Sequence, residues 1–381
     1  MSSDPKFWIG FNIVKGIGPA KVRALLDHFG DLERAWHANE RELKKIGFDK
    51  RTIKSFFGTR ADINLDAEVD KLAQHGVRML CWDSADYPTS LRHIPTSPPT
   101  LYIKGELKES DKWGIAIVGT RKLTEYGRQM THEITTGLVR RSITIVSGLA
   151  RGIDSIAHKV AVDMGGRTIA VLGSGIDQIY PPENRRLAEQ IANGRGAIVS
   201  EYALGVAPEA KNFPPRNRII SALSLGSAVI EAGYPSGALI TARFAAEQGR
   251  NIFAVPGNVN SAASKGTNKL IQDGAKLITS AKDILDELHL EHVEEQKALQ
   301  LTLPESAEEA ALIPHLLNTP AHVDDLSRAT GMPSALVGST LTLMELKGMV
   351  QQVGRMQYVL IREMGATYSV DSKPEEGQEK K

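Results

Sequence analysis

The chain has 381 residues, 41% of them hydrophobic and 24% charged, which supplies two or three separate cores at roughly 100–200 residues per domain. Its formal charge of +1 excludes attraction of a polyanion by a whole-protein field, so any such affinity must come from local patches. The single cysteine, Cys81, excludes an intramolecular disulfide and a cysteine-based zinc finger; no run approaches the ~20 apolar residues of a membrane helix, and Met1-Ser2-Ser3-Asp4 starts no signal peptide, so a cytoplasmic protein without a membrane span is expected.

Residues 1–80 read as a helical domain, with helices expected over Phe7–Val14, Pro19–Phe29, Leu32–Ala38, Arg41–Ile46, Lys50–Phe57 and Leu65–His75. The join Val14-Lys15-Gly16-Ile17-Gly18-Pro19-Ala20-Lys21 matches the hairpin of a helix-hairpin-helix (SAM-like) module, and Leu43 to Phe48 is a weaker echo. A Gly-x-Gly turn lets two helices meet closely and exposes N–H groups to a phosphate. Residues 1–60 carry 12 Lys and Arg against 7 Asp and Glu, a local charge of +5. The module therefore either contacts nucleic acid or is a small helical bundle with a Gly-Pro turn, and modules of this kind also serve as protein-binding domains.

Residues 81–112 read as a connector rich in turn formers, with Leu101-Tyr102-Ile103 as a strand at the edge of the next domain. From Trp113 the pattern changes to unbroken apolar runs alternating with helical segments. These include Ile115–Val118, Thr144–Val146, Thr168–Leu172, Ala197–Val199, Ser227–Ile230 and Ile252–Val255. Such runs indicate a parallel sheet covered on both faces, so residues 113–288 are expected to form a doubly wound, Rossmann-like domain.

The special residues of this domain fall at strand C-termini, the edge where open α/β sheets bind ligands. They include Gly119-Thr120-Arg121, Ser147-Gly148, Gly173-Ser174-Gly175 and Glu231-Ala232-Gly233. The segment Lys211-Asn212-Phe213-Pro214-Pro215-Arg216-Asn217-Arg218 opens a helix and brings cations, an aromatic ring and amides together. Arginine forks match phosphate oxygens, a helix N-terminus favours anions, and an aromatic face stacks on a base. The candidate nucleic-acid-binding residues are therefore Gly119, Thr120, Arg121, Ser147, Gly148, Lys211, Phe213, Arg216, Asn217 and Arg218.

Other chemistries find less support. Gly173-x-Gly175 has Gln178 where the third glycine of a dinucleotide site would stand, no P-loop run occurs, and the ten histidines form no metal pattern. No catalytic residue, cofactor or metal is expected. His158 reads as a structural histidine ahead of a general base, and Glu201 and Glu231 as carboxylates that cap loops ahead of acids in a nucleotide-cleaving site.

Residues 289–310 read as an acidic linker; from 283 to 310 nine Asp and Glu stand against Lys297 alone. Residues 311–362 read as a winged-helix domain, with helices over Ala311–Leu317, His322–Thr330 and Pro333–Leu346 and two short strands. Gly331 to Leu346 holds no Lys or Arg, so this unit is expected to contact protein rather than read duplex DNA. Residues 363–381 read as a disordered tail.

Taken in order, Gly119-Thr120-Arg121, Ser147 to Asp154, Gly173 to Asn184 with its Tyr180-Pro181-Pro182-Glu183-Asn184 end, Phe213-Pro214-x-Arg216-Asn217-Arg218, Ser236-Gly237 through Ala242, and Phe253 to Gly257 resemble the DprA/Smf family of bacterial DNA-processing proteins. The resemblance spans the whole sheet domain. It implies a protein of natural transformation and competence that binds and shields single-stranded DNA and loads the RecA recombinase onto it, without catalysis. It further implies a homodimer through the sheet domain, with dimer and recombinase contacts within 257–288, and an Arg121 that clamps a phosphate beside the Lys211 to Arg218 pocket. A related class, the nucleotide-cleaving phosphoribohydrolases, carries Pro-Gly-Gly-x-Gly-Thr-x-x-Glu. This chain has Tyr234-Pro235-Ser236-Gly237-Ala238-Leu239-Ile240-Thr241 and lacks the second glycine and the glutamate.

Overall fold

Five of the six N-terminal helices start from an Asp or Asn whose side chain accepts a backbone N–H of the first turn. These are α1 (Pro5–Ile13) from Asp4, α3 (Leu32–Trp36) from Asp31, α4 (Glu40–Lys45) from Asn39, α5 (Lys50–Asp62) from Asp49 and α6 (Leu65–Gln74) from Asn64. The remaining one, α2 (Pro19–Phe29), starts at Gly18-Pro19, and Gly16 supplies the hairpin's positive φ of 93°. Helix α5 continues past Phe57 because Arg60 donates to the carbonyls of Trp36 (2.8 Å) and Ala38 (3.0 Å), which anchors the added turn. The module closes around Trp8, Phe11, Leu25, Trp36, Leu43 and Phe56, with Phe11 stacked on Phe56 at 5.5 Å. The computed structural model describes residues 4–290, 306–316, 321–347, 349–354 and 356–360.

Nine strands build the main sheet: β1 (Arg78–Cys81), β2 (Thr100–Gly105), β3 (Gly114–Val118), β4 (Thr144–Ser147), β5 (Thr168–Leu172), β6 (Gly196–Ser200), β7 (Gly226–Val229), β8 (Asn251–Ala254) and β9 (Lys276–Leu277). Their order is β1-β2-β6-β5-β4-β3-β7-β8-β9. The seven strands from β6 to β9 pair in parallel, while β1 and β2 add an antiparallel extension beside β6. The segment 81–112 thus carries a full sheet strand and begins on the last residue of β1. Sequence patterning did not signal β1, because four residues of mixed burial become a strand only when β2 pairs with them.

Around the sheet run α7 (Thr89–Arg92), α8 (Glu125–Arg140), α9 (Ile153–Asp163), α10 (Arg185–Gln190), α11 (Phe213–Ala222), α12 (Gly237–Glu247), α13 (Lys265–Gln272) and α14 (Ala281–Glu287). Strand alternation divides the core: Ile169 and Val171 pack with Ile219, Ile220 and Ala242, whereas Ala170 and Leu172 pack with Leu149 and Ile191. The N-terminal module rests on the second face, where Ile9 and Leu72 join that core. Tyr102 donates to Asn12 Oδ1 (3.0 Å), and Asn12 in turn donates to the Glu201 carbonyl (3.1 Å). Chain order runs outward from β3 through β4, β5 and β6, then returns to β7 on the other side of β3. The topological switch therefore lies between β3 and β7.

Residues 292–381 form a second unit. Helices Ala307–Leu316, Val323–Thr330 and Ser334–Leu346 pack around Leu312, Leu326, Val337, Leu341 and Met344 beside a three-stranded sheet. The first of these helices begins before the expected Ala311, because Ser306 Oγ accepts the Glu309 N–H (3.1 Å) and Lys347 pairs with the buried Glu309 (2.7 Å). The last helix exposes Leu336, Leu343 and Leu346. Most of the expected acidic linker and the whole tail from 363 lie outside the described residues. No helix among the described residues is long and apolar enough to cross a membrane.

Candidate nucleic-acid interface

At the switch point the loop after β3 is tied to the loop after β7. Thr120 N–H donates to the Glu231 carbonyl (2.7 Å), and the buried Glu231 carboxylate accepts from Thr124 N–H (2.9 Å) and Thr124 Oγ1 (2.7 Å). Glu231 is thereby a loop anchor. The turn it holds presents Arg121 and Lys122 to solvent. Arg121 has no carboxylate partner among the described residues, and its guanidinium carbon stands 5.7 Å from the centre of the Phe213 ring. Arg121, Phe213, Arg216 and Asn217 line one open cavity of about 780 Å³ together with Gly119 and Thr120.

Phe213 opens α11 and is half-buried. Its ring fits over Gly173, where an added Cβ would come within 2.8 Å of the Phe213 ring edge. Pro214 and Pro215 follow, so this helix end carries the positive dipole but lacks two of the N–H groups that a helix start normally offers an anion. Side chains must therefore supply most of the donors. Asn217 supplies one link of its own, donating to the Gly237 carbonyl (3.3 Å) at the start of α12.

Arg216 lies beneath the cavity rather than at its rim, 4% exposed. It donates to the carbonyls of Gly148 (2.9 Å) and Val171, and any Cβ at position 148 would meet its guanidinium. Burial lowers its pKa to about 10, with Asp154 opposing and Arg121 reinforcing that shift, so it remains a cation at neutral pH. Burial also raises the Asp154 carboxyl, held back by Arg216 and by the Gly148 N–H, which donates to it at 3.1 Å. Ser147 is fully buried and donates to the Ile117 carbonyl (2.6 Å), so it braces β4 against β3. His158, also buried, engages Thr168 Oγ1 through Nδ1 (2.7 Å) and is kept neutral, its pKa pushed down to about 3 by burial and by Arg216.

Two of the residues grouped by sequence stand apart. Arg218 forms a paired fork with Glu201, Nη1 to Oε1 and Nη2 to Oε2 both at 2.6 Å, and donates to the Thr96 carbonyl (2.9 Å). It borders a different cavity, about 1370 Å³, between the helical module and the sheet. Residues two apart on a helix point about 200° from one another, so Arg216 and Arg218 cannot share a pocket. Lys211 is exposed on the loop before α11 and pairs with Glu209 (2.5 Å). Sequence reasoning left out Lys122, Tyr180 and Arg151. Tyr180 lines the same cavity with its ring 5.7 Å from that of Phe213, and Arg151 stands 5.9 Å from the Tyr180 ring. An aromatic residue in the loop between a strand end and the next helix was the available signal.

These features define the class: a Rossmann-like α/β protein whose ligand edge carries cations beside aromatic rings at the switch point. Residues 78–289 match the family described as DNA recombination-mediator protein A, and residues 296–354 match the DprA winged helix domain. The chain belongs to this DprA/Smf family of DNA-processing recombination mediators. Protein Smf of Synechocystis sp. is 42% identical over 307 residues, covering 78% of this chain and 77% of that protein. The structure of DNA processing protein A of Streptococcus pneumoniae matches 75% of this chain and 99% of its own, at 34% identity and a TM-score of 0.65. DNA processing protein A of Helicobacter pylori, solved for its single-stranded DNA binding mode, covers 56% of this chain and 95% of its own, at 31% identity and a TM-score of 0.50.

Proposed function

We propose that this recombination mediator holds single-stranded DNA in the cavity at the β3–β7 switch point. It shields the strand there and delivers it to the RecA recombinase, as a homodimer through the sheet domain and by binding rather than catalysis. The observation that carries the reading is Arg121: an exposed arginine without a carboxylate partner among the described residues, poised over the Phe213 ring. A phosphate beside one stacked base needs that pair of groups. Gly119, Thr120 and Asn217 shape the wall and Gly148 and Arg216 form a cationic floor, while Lys211, next in the chain to the lining residue Ala210, joins only when it leaves Glu209. Ser147 supports the floor from within the sheet, and Arg218 acts on stability. The single-strand binding described for the Helicobacter pylori relative agrees with this assignment. An open sheet edge at β9 with an exposed Leu277 offers a surface for the second copy.

The test is anisotropy of labelled oligo-dT against a duplex of equal length at several salt concentrations. Wild type should prefer the single strand, with affinity falling steeply in salt, and Arg121→Ala should weaken binding and flatten the salt slope by about 0.7. Equal affinity for both DNAs, unchanged by Arg121→Ala, would remove the assignment. Delivery is tested by RecA filament nucleation on strands pre-coated with a single-strand-binding protein, and dimerisation by light scattering.

A further inference from the structure

Arg121, Phe213, Tyr180 and Arg151 form a row of cation, ring, ring and cation. The two rings lie 5.7 Å apart at 39°, and each has its own arginine at 5.7 Å and 5.9 Å. The rings come from different loops, Phe213 from the start of α11 and Tyr180 from the turn after β5, while Arg151 follows β4. At that separation no base enters between the rings, so each has only its outer surface to offer a neighbouring base. The two halves differ in their charges, and Phe213 has a second arginine, the buried Arg216, at 6.0 Å. Arg121 has no carboxylate partner among the described residues, whereas Arg151 is held by Glu183 through Nε–Oε1 at 2.5 Å and Nη2–Oε2 at 3.2 Å. Both members of that pair are about half exposed, so water and incoming anions reach it, and exposed pairs of this kind are weak enough for a phosphate to displace.

We propose that Tyr180 and Arg151 form a second nucleotide subsite, stacking the base and gripping the phosphate next to those held by Phe213 and Arg121, with Glu183 as a competing carboxylate that keeps Arg151 occupied until a strand arrives. This deepens the reading of the cavity as a single-strand site and rests on it. Arg151 exchanges Glu183 for phosphate, so the subsite adds contacts to a strand already bound more readily than it captures free phosphate. Glu183 acts only through Arg151 and is a positioning residue.

The experiment measures binding of the full chain to labelled oligo-dT, and to an abasic strand of the same length, across a salt series. Tyr180→Phe should bind oligo-dT as wild type does, and Tyr180→Leu should lose about 5- to 150-fold, the range for one stacked base. On the abasic strand Tyr180→Leu should match wild type, which a merely misfolded loop would not do. Glu183→Gln should bind severalfold tighter at low salt, because the carboxylate no longer competes, while Arg151→Gln should weaken binding and abolish the effect of Glu183→Gln in the double variant. If Arg121→Ala weakens binding while Tyr180→Leu and Glu183→Gln equal wild type, the second subsite is overturned and the cavity assignment stands. If Arg121→Ala is also without effect, both fall together.

Discussion

Arg218 and Glu201 meet fork to fork, two N–O contacts of 2.6 Å each, with the side chains only 8% and 16% exposed. Such a pair is costly to break from one side, because the survivor is left charged and buried; the loss is about 3–5 kcal/mol. Arg218→Ala should therefore lower stability by that order. The salt slope of single-strand binding should stay at the wild-type value, since no phosphate contact is removed. Chemical denaturation read by tryptophan fluorescence checks the first part, and all four tryptophans (Trp8, Trp36, Trp82, Trp113) lie in the first unit.

Phe213 and Gly173 give a charge-neutral way to probe stacking. Phe213→Ala should cost about 1–3 kcal/mol in single-strand affinity, and Phe213→Trp should retain it. Gly173→Val should also weaken binding, because a Cβ at that position stands 2.8 Å from the Phe213 ring. Neither change removes a cation, although Arg121 and Arg216 both lie over the Phe213 ring, so the salt slope should hold while affinity drops; a flattened slope would show that the pocket's charges had moved.

His158 makes stability depend on pH with a definite sign. Its folded pKa of about 3 lies below the ordinary 6.5, so between these values the unfolded chain binds a proton that the folded one does not. Stability contributed by the neutral imidazole is complete above pH 6.5 and falls as the pH drops, by about 1.4 kcal/mol per unit. Urea denaturation at pH 7.5 and 5.0 should show a smaller loss for His158→Gln than for wild type. Parallel losses in the two proteins would contradict this.

Arg216 and Asp154 are coupled beneath the cavity. Arg216→Met should destabilise the fold by leaving Asp154 without its cation, and adding Asp154→Asn should recover much of that loss. Single-strand affinity should remain low in the double variant, because the cationic floor is gone. Recovery of affinity along with stability would show that Arg216 acts only through folding.

The sheet domain was legible in the sequence because its strands are buried on both faces and read as unbroken apolar runs, and because glycines and cations punctuate their ends. Strand β1 was not legible, since its pairing with β2 supplies what four residues of mixed burial lack. The helix starts were also written locally, in Asp and Asn caps that need no tertiary partner.

Within the site, the chain itself determined that Arg121, Phe213 and Arg216 would reach one sheet edge, because the alternation of strands and helices and the turn residues are local signals. Which charges remain available there was decided only by the tertiary structure. Helical geometry turns Arg218 away from Arg216, and Glu201 then takes up its fork. Glu183 and Glu209 neutralise Arg151 and Lys211, and Tyr180 reaches Phe213 from a different strand end. Availability of a cation depends on what stands within about 4 Å of it in space, and sequence spacing carries that information only for neighbours along one helix or strand.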